Sequence, residues 1–177
     1  SDCHDVHSLE LLAPGNRLCV RCHQADVYDS YDHHFHQQVV DGRPSDGALC
    51  VKCHMPEQPY MVIDWRADHS LRVPRPDLTA EIGTPNACAQ AGCHDDRSTQ
   101  WSLDAYHKWY GVARKPHYGT VLAAGRAGAP EAREDVVRLA EDPLYPSIVR
   151  ATALALLDRF PGEASMAVLR RALADEE

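Results

Sequence analysis

Cysteine and histidine are confined to the first two thirds of this 177-residue chain, where all seven Cys and all eleven His precede residue 118. Most of the cysteines stand in pairs that a histidine follows directly. Two segments have the spacing C-x-x-C-H, at 19–23 and 50–54, and a third, at 88–94, has two extra residues between its cysteines. This regular pattern constrains the fold, because the thiols and imidazoles of each segment must come together around one bound group.

These segments carry the attachment signature of c-type haem. Two thiols three positions apart on a helical turn reach the two vinyl groups of one haem, and the adjacent histidine points its imidazole at the iron as the proximal ligand. The predicted thioether cysteines are Cys19, Cys22, Cys50, Cys53, Cys88 and Cys93. The predicted proximal ligands are His23, His54 and His94.

A fourth motif is predicted at the start of the chain, where Cys3 and His4 follow Ser1 and Asp2. The motif would be complete if the residue before Ser1 were cysteine, and the odd total of seven cysteines agrees with such a cut. The alternatives are a haem held by one thioether and an unrelated cysteine. We therefore expect four haem c groups, of which three have complete attachment motifs.

Paired cysteines also occur in zinc sites, redox-active dithiols and disulfides. The pairs Cys19/Cys22 and Cys50/Cys53 have the spacing of such a zinc site. A zinc site, however, has no use for a histidine directly after the second cysteine of each pair. A thioredoxin-type dithiol would need alternating strands and helices around it. The repeated histidine therefore favours haem.

Each haem iron needs a sixth ligand, and the histidines outside the motifs are numerous enough to supply imidazoles throughout. His7 lies three residues after His4, too close to bind the same iron from the other face, so we expect it to bind a neighbouring haem. The cluster of His33, His34 and His36 is expected to provide one or two ligands, with His34 preferred. The predicted distal ligands are His7, His34, His36, His69 and His117. Packing or surface roles are expected for His107, Met55 and Met61.

Two segments of different composition are expected to form two domains, at residues 1–118 and 119–177. The first has few large apolar side chains and many Pro, Gly and Asp, so its short helices must be organised around the haems. Within it, residues 24–38 and 98–110 favour helix. The proline-rich stretch 55–85 is expected to run extended over a rigid surface. The predicted fold class is mainly α with much irregular structure.

From residue 120 the apolar residues follow a helical periodicity over 120–127, 130–141, 146–160 and 162–174. Pro130 and Pro146 open two of these helices, as proline does at a first helical position. The pair Leu139-Ala140 recurs as Leu173-Ala174, which indicates stacked helical-hairpin repeats. Such units bury their apolar faces against neighbours and need several copies, so we expect the chain to continue beyond residue 177.

The formal net charge of −8 argues against nucleic acid as a partner, because phosphate binding needs Lys and Arg concentrated on one face. The sequence contains no run of about 18 or more apolar residues, so no transmembrane segment is predicted. The chain begins abruptly at Ser-Asp-Cys-His, and c-type haem attachment requires secretion. We therefore expect a signal peptide upstream and a periplasmic or extracellular location.

Several runs resemble those of large bacterial multihaem cytochromes that join doubled C-x-x-C-H segments to a helical-repeat region of HEAT or tetratricopeptide type. The runs are 50–56, 60–64, 68–78 and 83–88, and the most specific leads from Asp68-His69-Ser70 to Pro74-Arg75-Pro76-Asp77. The resemblance covers nearly the whole chain and implies a haem-bearing domain followed by HEAT-like repeats. The chain departs from the family's pattern at 88–93, where the family usually has C-x-x-C.

Bis-histidine coordination predicts electron transfer and not catalysis, since two imidazoles per iron leave no site for a substrate. We expect closely packed low-spin haems, no catalytic residue, and redox partner proteins such as other cytochromes or copies of this chain. One alternative is a multihaem oxidoreductase acting on small nitrogen or sulfur compounds, which needs a haem with an open or Lys-ligated face. Another is a subunit of a polymeric cytochrome wire, in which a histidine from one subunit caps a haem of the next.

Overall fold

The computed structural model describes residues 2–174 and is mainly helical. The helices are α1 Ala25–Tyr28, α2 Tyr31–His34, α3 Cys50–His54, α4 Pro76–Ile82, α5 Thr99–Tyr110, α6 Tyr118–Ala127, α7 Arg133–Glu141, α8 Ser147–Leu156 and α9 Glu163–Leu173. Single turns of 3-10 helix lie at Gly15–Arg17, Cys19–Arg21, Asp46–Ala48, Ala87–Ala89, Pro130–Ala132 and Leu157–Arg159. Two antiparallel hairpins complete the structure: β1 Val39–Val40 with β2 Arg43–Pro44, and β3 Glu57–Tyr60 with β4 Asp64–Ala67. None of the helices within residues 2–174 is long and apolar enough to cross a membrane.

The proline-rich stretch 55–85 contains regular structure, so the prediction of a purely extended segment is wrong there. Its first part is the β3–β4 hairpin, in which Pro59 stands opposite Trp65. A two-stranded ribbon tolerates proline because each strand has an edge that needs no N–H donor. Its later part is α4, which begins at Pro76, where the missing N–H costs nothing. Pro76 therefore marks the beginning of α4, and Pro59 occupies an exposed position in β3.

The stretch 24–38, predicted as one helix, instead forms the two short helices α1 and α2. The helices are separated at Asp29 and Ser30, which leave the helical conformation. The helix predicted over 98–110 is present as α5. Ser98 caps it, because the Ser98 hydroxyl accepts a hydrogen bond from the backbone N–H of Trp101 at 3.1 Å.

The chain divides into two compact units. The first consists of Ser1–Ala80 with Thr84–Val112, and the second of Glu81–Gly83 with Ala113–Glu177. The boundary between these two units falls after Val112. The domain boundary predicted after residue 118 remains a prediction.

The second unit has an aliphatic core formed by α6 to α9. Val136, Ala153 and Leu157 are almost fully buried at its centre. Gly125 lets these helices approach, since a Cβ at this position would lie 3.0 Å from Val136 Cγ2 and 3.1 Å from Leu156 Cδ1. The predicted helical segments are therefore present with nearly the predicted bounds.

The Leu-Ala pairs that suggested a repeat differ in their surroundings. Leu139 and Ala140 of α7 are buried in the core, whereas Leu173 at the end of α9 is 88% exposed. The two copies are therefore not equivalent in packing, and the stacked repeat remains a prediction.

The first unit contrasts with the second in its core. Among residues 2–174, its only fully buried apolar side chains are Ala48, Pro76 and Leu78. Many of its larger apolar side chains are exposed. They include Val6, Leu9, Leu11, Val39, Val40, Met61, Val62, Ile63, Trp65, Leu71 and Val73. Protein side chains alone therefore give this unit too little apolar burial for its size.

We expect Leu157→Ala to lower the free energy of unfolding by about 3 kcal/mol, because Leu157 is 1% exposed and its removal leaves a cavity between the helices. Leu144→Ala is the matched control, since Leu144 is 90% exposed and its loss should cost less than about 0.5 kcal/mol. Chemical denaturation of the full chain followed by far-UV circular dichroism measures both. Equal effects of the two substitutions would contradict the core described here.

Candidate functional site

The three complete cysteine motifs have helical or turn backbones that close on themselves. In the first, the N–H of His23 donates to the carbonyl of Cys19 at 3.1 Å. The second is the helix α3. In the longer third motif, the N–H of His94 donates to the carbonyl of Cys88, also at 3.1 Å. The extra residues loop out through Gly92, whose φ of +79° is left-handed. The first and third motifs therefore share the same closure from histidine to first cysteine.

All seven cysteines are free thiols, and Cys50 interacts with Cys19 of the preceding motif and Cys53 with Cys88 and Cys93 of the following one. Burial, and after it the neighbouring Cys19 thiol, raises the pKa of Cys50 to about 12. Burial likewise raises the pKa of Cys53 to about 11, with smaller contributions from Cys88 and Cys93. Cys50 and Cys53 are therefore protonated at neutral pH in the free chain, unlike the thiolates of a reactive dithiol.

Three motif histidines each face a histidine from a distant part of the chain. The ring centroids lie 6.1 to 6.3 Å apart in every case. The pairs are His4 with His69, His54 with His33, and His94 with His36. The structure therefore brings together one imidazole that directly follows a cysteine and one that does not, and it does so three times.

Backbone carbonyls orient four of these six imidazoles through Nδ1. His4 Nδ1 lies 2.8 Å from the carbonyl oxygen of Leu9, and His54 Nδ1 lies 2.9 Å from that of Arg72. His69 Nδ1 is bonded in the same way to Ala67, and His36 Nδ1 to the carbonyl of His34. A carbonyl oxygen only accepts, so each Nδ1 carries the proton and each Nε2 presents a lone pair.

Two of the accepting carbonyls are supplied by strained turns. Leu9, which accepts from His4, has a φ of +62°, and Leu71, which precedes the acceptor Arg72, has a φ of +50°. A left-handed backbone is unfavourable for a leucine and persists only where the surroundings require it. In both turns, the strained backbone places a carbonyl oxygen at hydrogen-bond distance from an imidazole.

The run 68–77 serves two of the histidine pairs. His69 faces His4, and the Arg72 carbonyl orients His54. The end of the run is fixed by Arg75, whose guanidinium donates to both carboxylate oxygens of Asp77 at 2.6 to 3.0 Å. This bonding lowers the pKa of Asp77, so the ion pair is retained well below neutral pH.

Asn16 ties together the segments that carry the first two complete motifs. Its side-chain amide donates to Asp29 Oδ1 at 2.7 Å and to the carbonyl of Ala48 at 2.8 Å. Its Oδ1 accepts from the backbone N–H of Cys50 at 2.9 Å, directly at the start of α3. No local sequence pattern indicates this role of Asn16, because its partners are 13 to 34 positions away.

Several predicted ligands have other surroundings. His34, the preferred member of its cluster, accepts the N–H of His36 at Nδ1, and its Nε2 is buried with no hydrogen-bond partner among residues 2–174. In the neutral ring the proton then lies on Nε2, and the role of His34 as a ligand stays a prediction. His33, omitted from the predicted set, is the residue that faces His54. Three histidines within four positions look alike in sequence, so only the end of α2 distinguishes them.

His117 belongs to the second unit and caps α6. Its Nδ1 accepts the backbone N–H of Gly119 at 3.0 Å, and its ring packs on Tyr118 with centroids 4.2 Å apart. An N-cap role accounts for a histidine directly before a helix without any metal. His7 is exposed, with its backbone N–H bonded to Asp5 Oδ1. His23 meets the edge of Tyr28, with centroids 5.5 Å apart.

No group of three or more His, Cys, Asp or Glu side chains within residues 2–174 is arranged to hold a metal ion by itself. The paired imidazoles thus offer two protein ligands each and no more. The chain matches no protein-family model, and comparisons with curated proteins and with solved structures also gave no match.

We expect Asn16→Ala to lower the free energy of unfolding by about 2 kcal/mol, because the Asp29 carboxylate, the Ala48 carbonyl and the Cys50 amide each lose a partner. Asn16→Asp should be as costly, since it places a second carboxylate beside Asp29. Gln100→Ala removes one exposed hydrogen bond and should cost less than about 0.5 kcal/mol. Denaturant unfolding of the full chain compares the three, and an Asn16→Ala variant as stable as Gln100→Ala would contradict the anchoring role.

Proposed function

We propose that this chain is an electron-transfer module in which paired histidines hold c-type haems that are attached through the C-x-x-C-H motifs. The observation that carries the proposal is the spacing of the three facing imidazole pairs. A metal bound by two imidazole nitrogens at about 2.0 Å each, on opposite sides, would separate the ring centroids by about 6.4 Å, because each centroid lies about 1.2 Å behind its nitrogen. The observed separations are 6.1 to 6.3 Å.

The orientation of the rings supports the same proposal. Metal-ligating histidines donate their other ring N–H to a carbonyl or carboxylate, which sets the tautomer and turns the free nitrogen toward the metal. In His4, His36, His54 and His69, Nδ1 lies at hydrogen-bond distance from a backbone carbonyl, as this pattern requires. An imidazole that packed only as an aromatic ring would have no need of it.

The number of ligands favours haem over a bare metal ion. Zinc and similar ions need three or four protein ligands at one point, and none of the pairs has a third ligand beside it in residues 2–174. A haem iron receives four nitrogens from its own macrocycle and needs only the two imidazoles.

The lack of a core in the first unit supports a large apolar cofactor. Haem is flat and mostly apolar, so several bound haems would cover side chains that the protein leaves exposed. The second unit buries its own aliphatic core and has no such requirement. The residues present therefore fit the cofactor that the motifs predict.

The residues of the three pairs define the chemistry that this chain can support. The haem, when bound, supplies an iron that takes up and releases a single electron. Two imidazoles of the chain at one iron would leave no position there for a substrate, which favours electron transfer. The Cys19 thiol interacts with that of Cys50, and the Cys53 thiol with that of Cys88. These contacts support close spacing of the points at which haems would be attached.

One observation favours the alternative of a multihaem oxidoreductase acting on small nitrogen or sulfur compounds. His23 meets the edge of Tyr28 and is not opposed by an imidazole as His4, His54 and His94 are. A haem at this motif would be the one able to accept an external ligand.

A periplasmic or extracellular location, HEAT-like repeats in the second unit and redox protein partners remain part of the proposal.

When produced with a c-type haem attachment system, the chain should carry at least three covalent haems, and a fourth if Cys3 is used. We expect intact mass to show the added haems, the visible and electron paramagnetic resonance spectra to be mainly low-spin, and no thiol of a complete motif to react with an alkylating reagent. Bound zinc with titratable thiols and no covalent haem would contradict the proposal. Carbon monoxide binding at one haem per chain would assign an open face to His23.

His33→Ala and His34→Ala form a matched pair of neighbouring substitutions. The first removes the imidazole facing His54, so one haem should become high-spin and bind carbon monoxide. The second removes a ring whose Nδ1 already accepts a backbone N–H, so the spectrum should stay like that of the unsubstituted protein. Electron paramagnetic resonance of the ferric protein compares them. The reverse result would restore His34 as the ligand and contradict the pairing.

A further inference from the structure

The segment 33–36 faces two of the candidate centres at once. His33 lies opposite His54, and His36, three residues later, lies opposite His94. Between them, Phe35 ends α2 in the left-handed conformation, with a φ of +55°. This backbone turn is costly for a bulky residue, and without it the chain could not direct the two imidazoles to different centres. Contacts with neighbouring side chains must therefore stabilise this conformation of Phe35.

Aromatic side chains of α5 pack against Phe35 and stabilise its conformation. The Trp109 ring stacks on Phe35 with centroids 4.8 Å apart and planes 3° from parallel. The Tyr110 ring packs against Phe35 edge to face at 5.7 Å, and its hydroxyl donates to the carbonyl of His33. Burial raises the pKa of Tyr110 to about 12, so the hydroxyl keeps its proton across the physiological range. Such stacks contribute about 0.5–1.5 kcal/mol beyond their buried area.

The same helix also supports the opposite side of one pair. Trp101 packs against His94 with centroids 4.6 Å apart, and Trp109 approaches His36 at 6.4 Å. Space for His36 is provided by Gly47, since a Cβ there would lie 2.5 Å from the ring carbon Cδ2. Both imidazoles of the His36–His94 pair are therefore packed against tryptophans of α5.

We propose that Trp109 and Phe35 are positioning residues whose stack sets His33 and His36, so that one helix controls the axial ligands of two different haems. The inference rests on the proposed haem-binding function and goes beyond it, because it makes two centres depend on a contact that touches no metal. Loss of the stack should disturb both centres together, whereas loss of one imidazole disturbs one.

The test is Trp109→Leu in the haem-loaded full chain, which removes the flat partner of Phe35. We expect the covalent haem number to stay unchanged by mass, the high-spin ferric signal to rise, and carbon monoxide uptake to increase by as many as two equivalents per chain. Added imidazole should return the spectrum to low-spin. Trp109→Phe, which preserves a stacking ring, should remain close to the unsubstituted protein, as should Trp65→Leu at an exposed tryptophan.

A second pair of variants keeps the inference testable if Trp109→Leu does not fold. Gly47→Ala adds a methyl group against the His36 ring and should free one centre only, giving half of the Trp109→Leu effect. Gly119→Ala is its match, because the added methyl would lie 2.9 Å from His117 Nδ1, a ring that caps a helix. It should leave the haem spectrum unchanged.

The outcomes separate the two proposals. A low-spin Trp109→Leu spectrum, or a change at a single centre, overturns the shared positioning by α5 and leaves haem binding intact. A Gly47→Ala spectrum like that of Gly119→Ala overturns the placement of His36. An unsubstituted chain without covalent haem instead overturns the proposed function itself.

Discussion

The first unit brings three pairs of imidazoles together, with ring centroids 6.1 to 6.3 Å apart. In four of these six rings, a hydrogen bond between Nδ1 and a backbone carbonyl fixes the tautomer and the orientation of the ring. Because the carbonyls are supplied by nearby turns, the backbone around each histidine must adopt one conformation. The strained leucines at 9 and 71 show the cost of that requirement.

The pairs are not independent of one another. His54 is opposed by His33, which shares a short segment with the His36 that opposes His94. The ring of His54 is also oriented by the run 68–77, which carries the His69 that opposes His4. His54 thus lies between two segments that each serve a second centre. A row of coupled electron-transfer sites would benefit from such shared supports, since they hold neighbouring centres at a constant distance.

The two units are stabilised by different means. The second buries aliphatic side chains around Leu157 and Val136, as ordinary helical domains do. The first relies on polar anchors such as Asn16, on the aromatic packing of Phe35 with α5, and on surfaces that suit a bound apolar group. Under the proposed function, bound haem would supply the apolar burial that the short helices of this unit lack.

The sequence by itself determined the motif residues, the helices of the second unit and the start of α5, because these depend on local spacing, periodicity and capping. It also indicated that histidines would be paired, since there are more of them than the motifs use. Only the tertiary structure decided which histidine opposes which. His33 and His34 are adjacent and chemically identical, and only the contacts of each ring distinguish them: His33 lies near His54, and His34 accepts the N–H of His36. The ring of His117, a predicted ligand, also caps the helix that follows it, which the sequence did not indicate. Pairings of this kind follow from contacts between distant segments, which local sequence patterns do not encode.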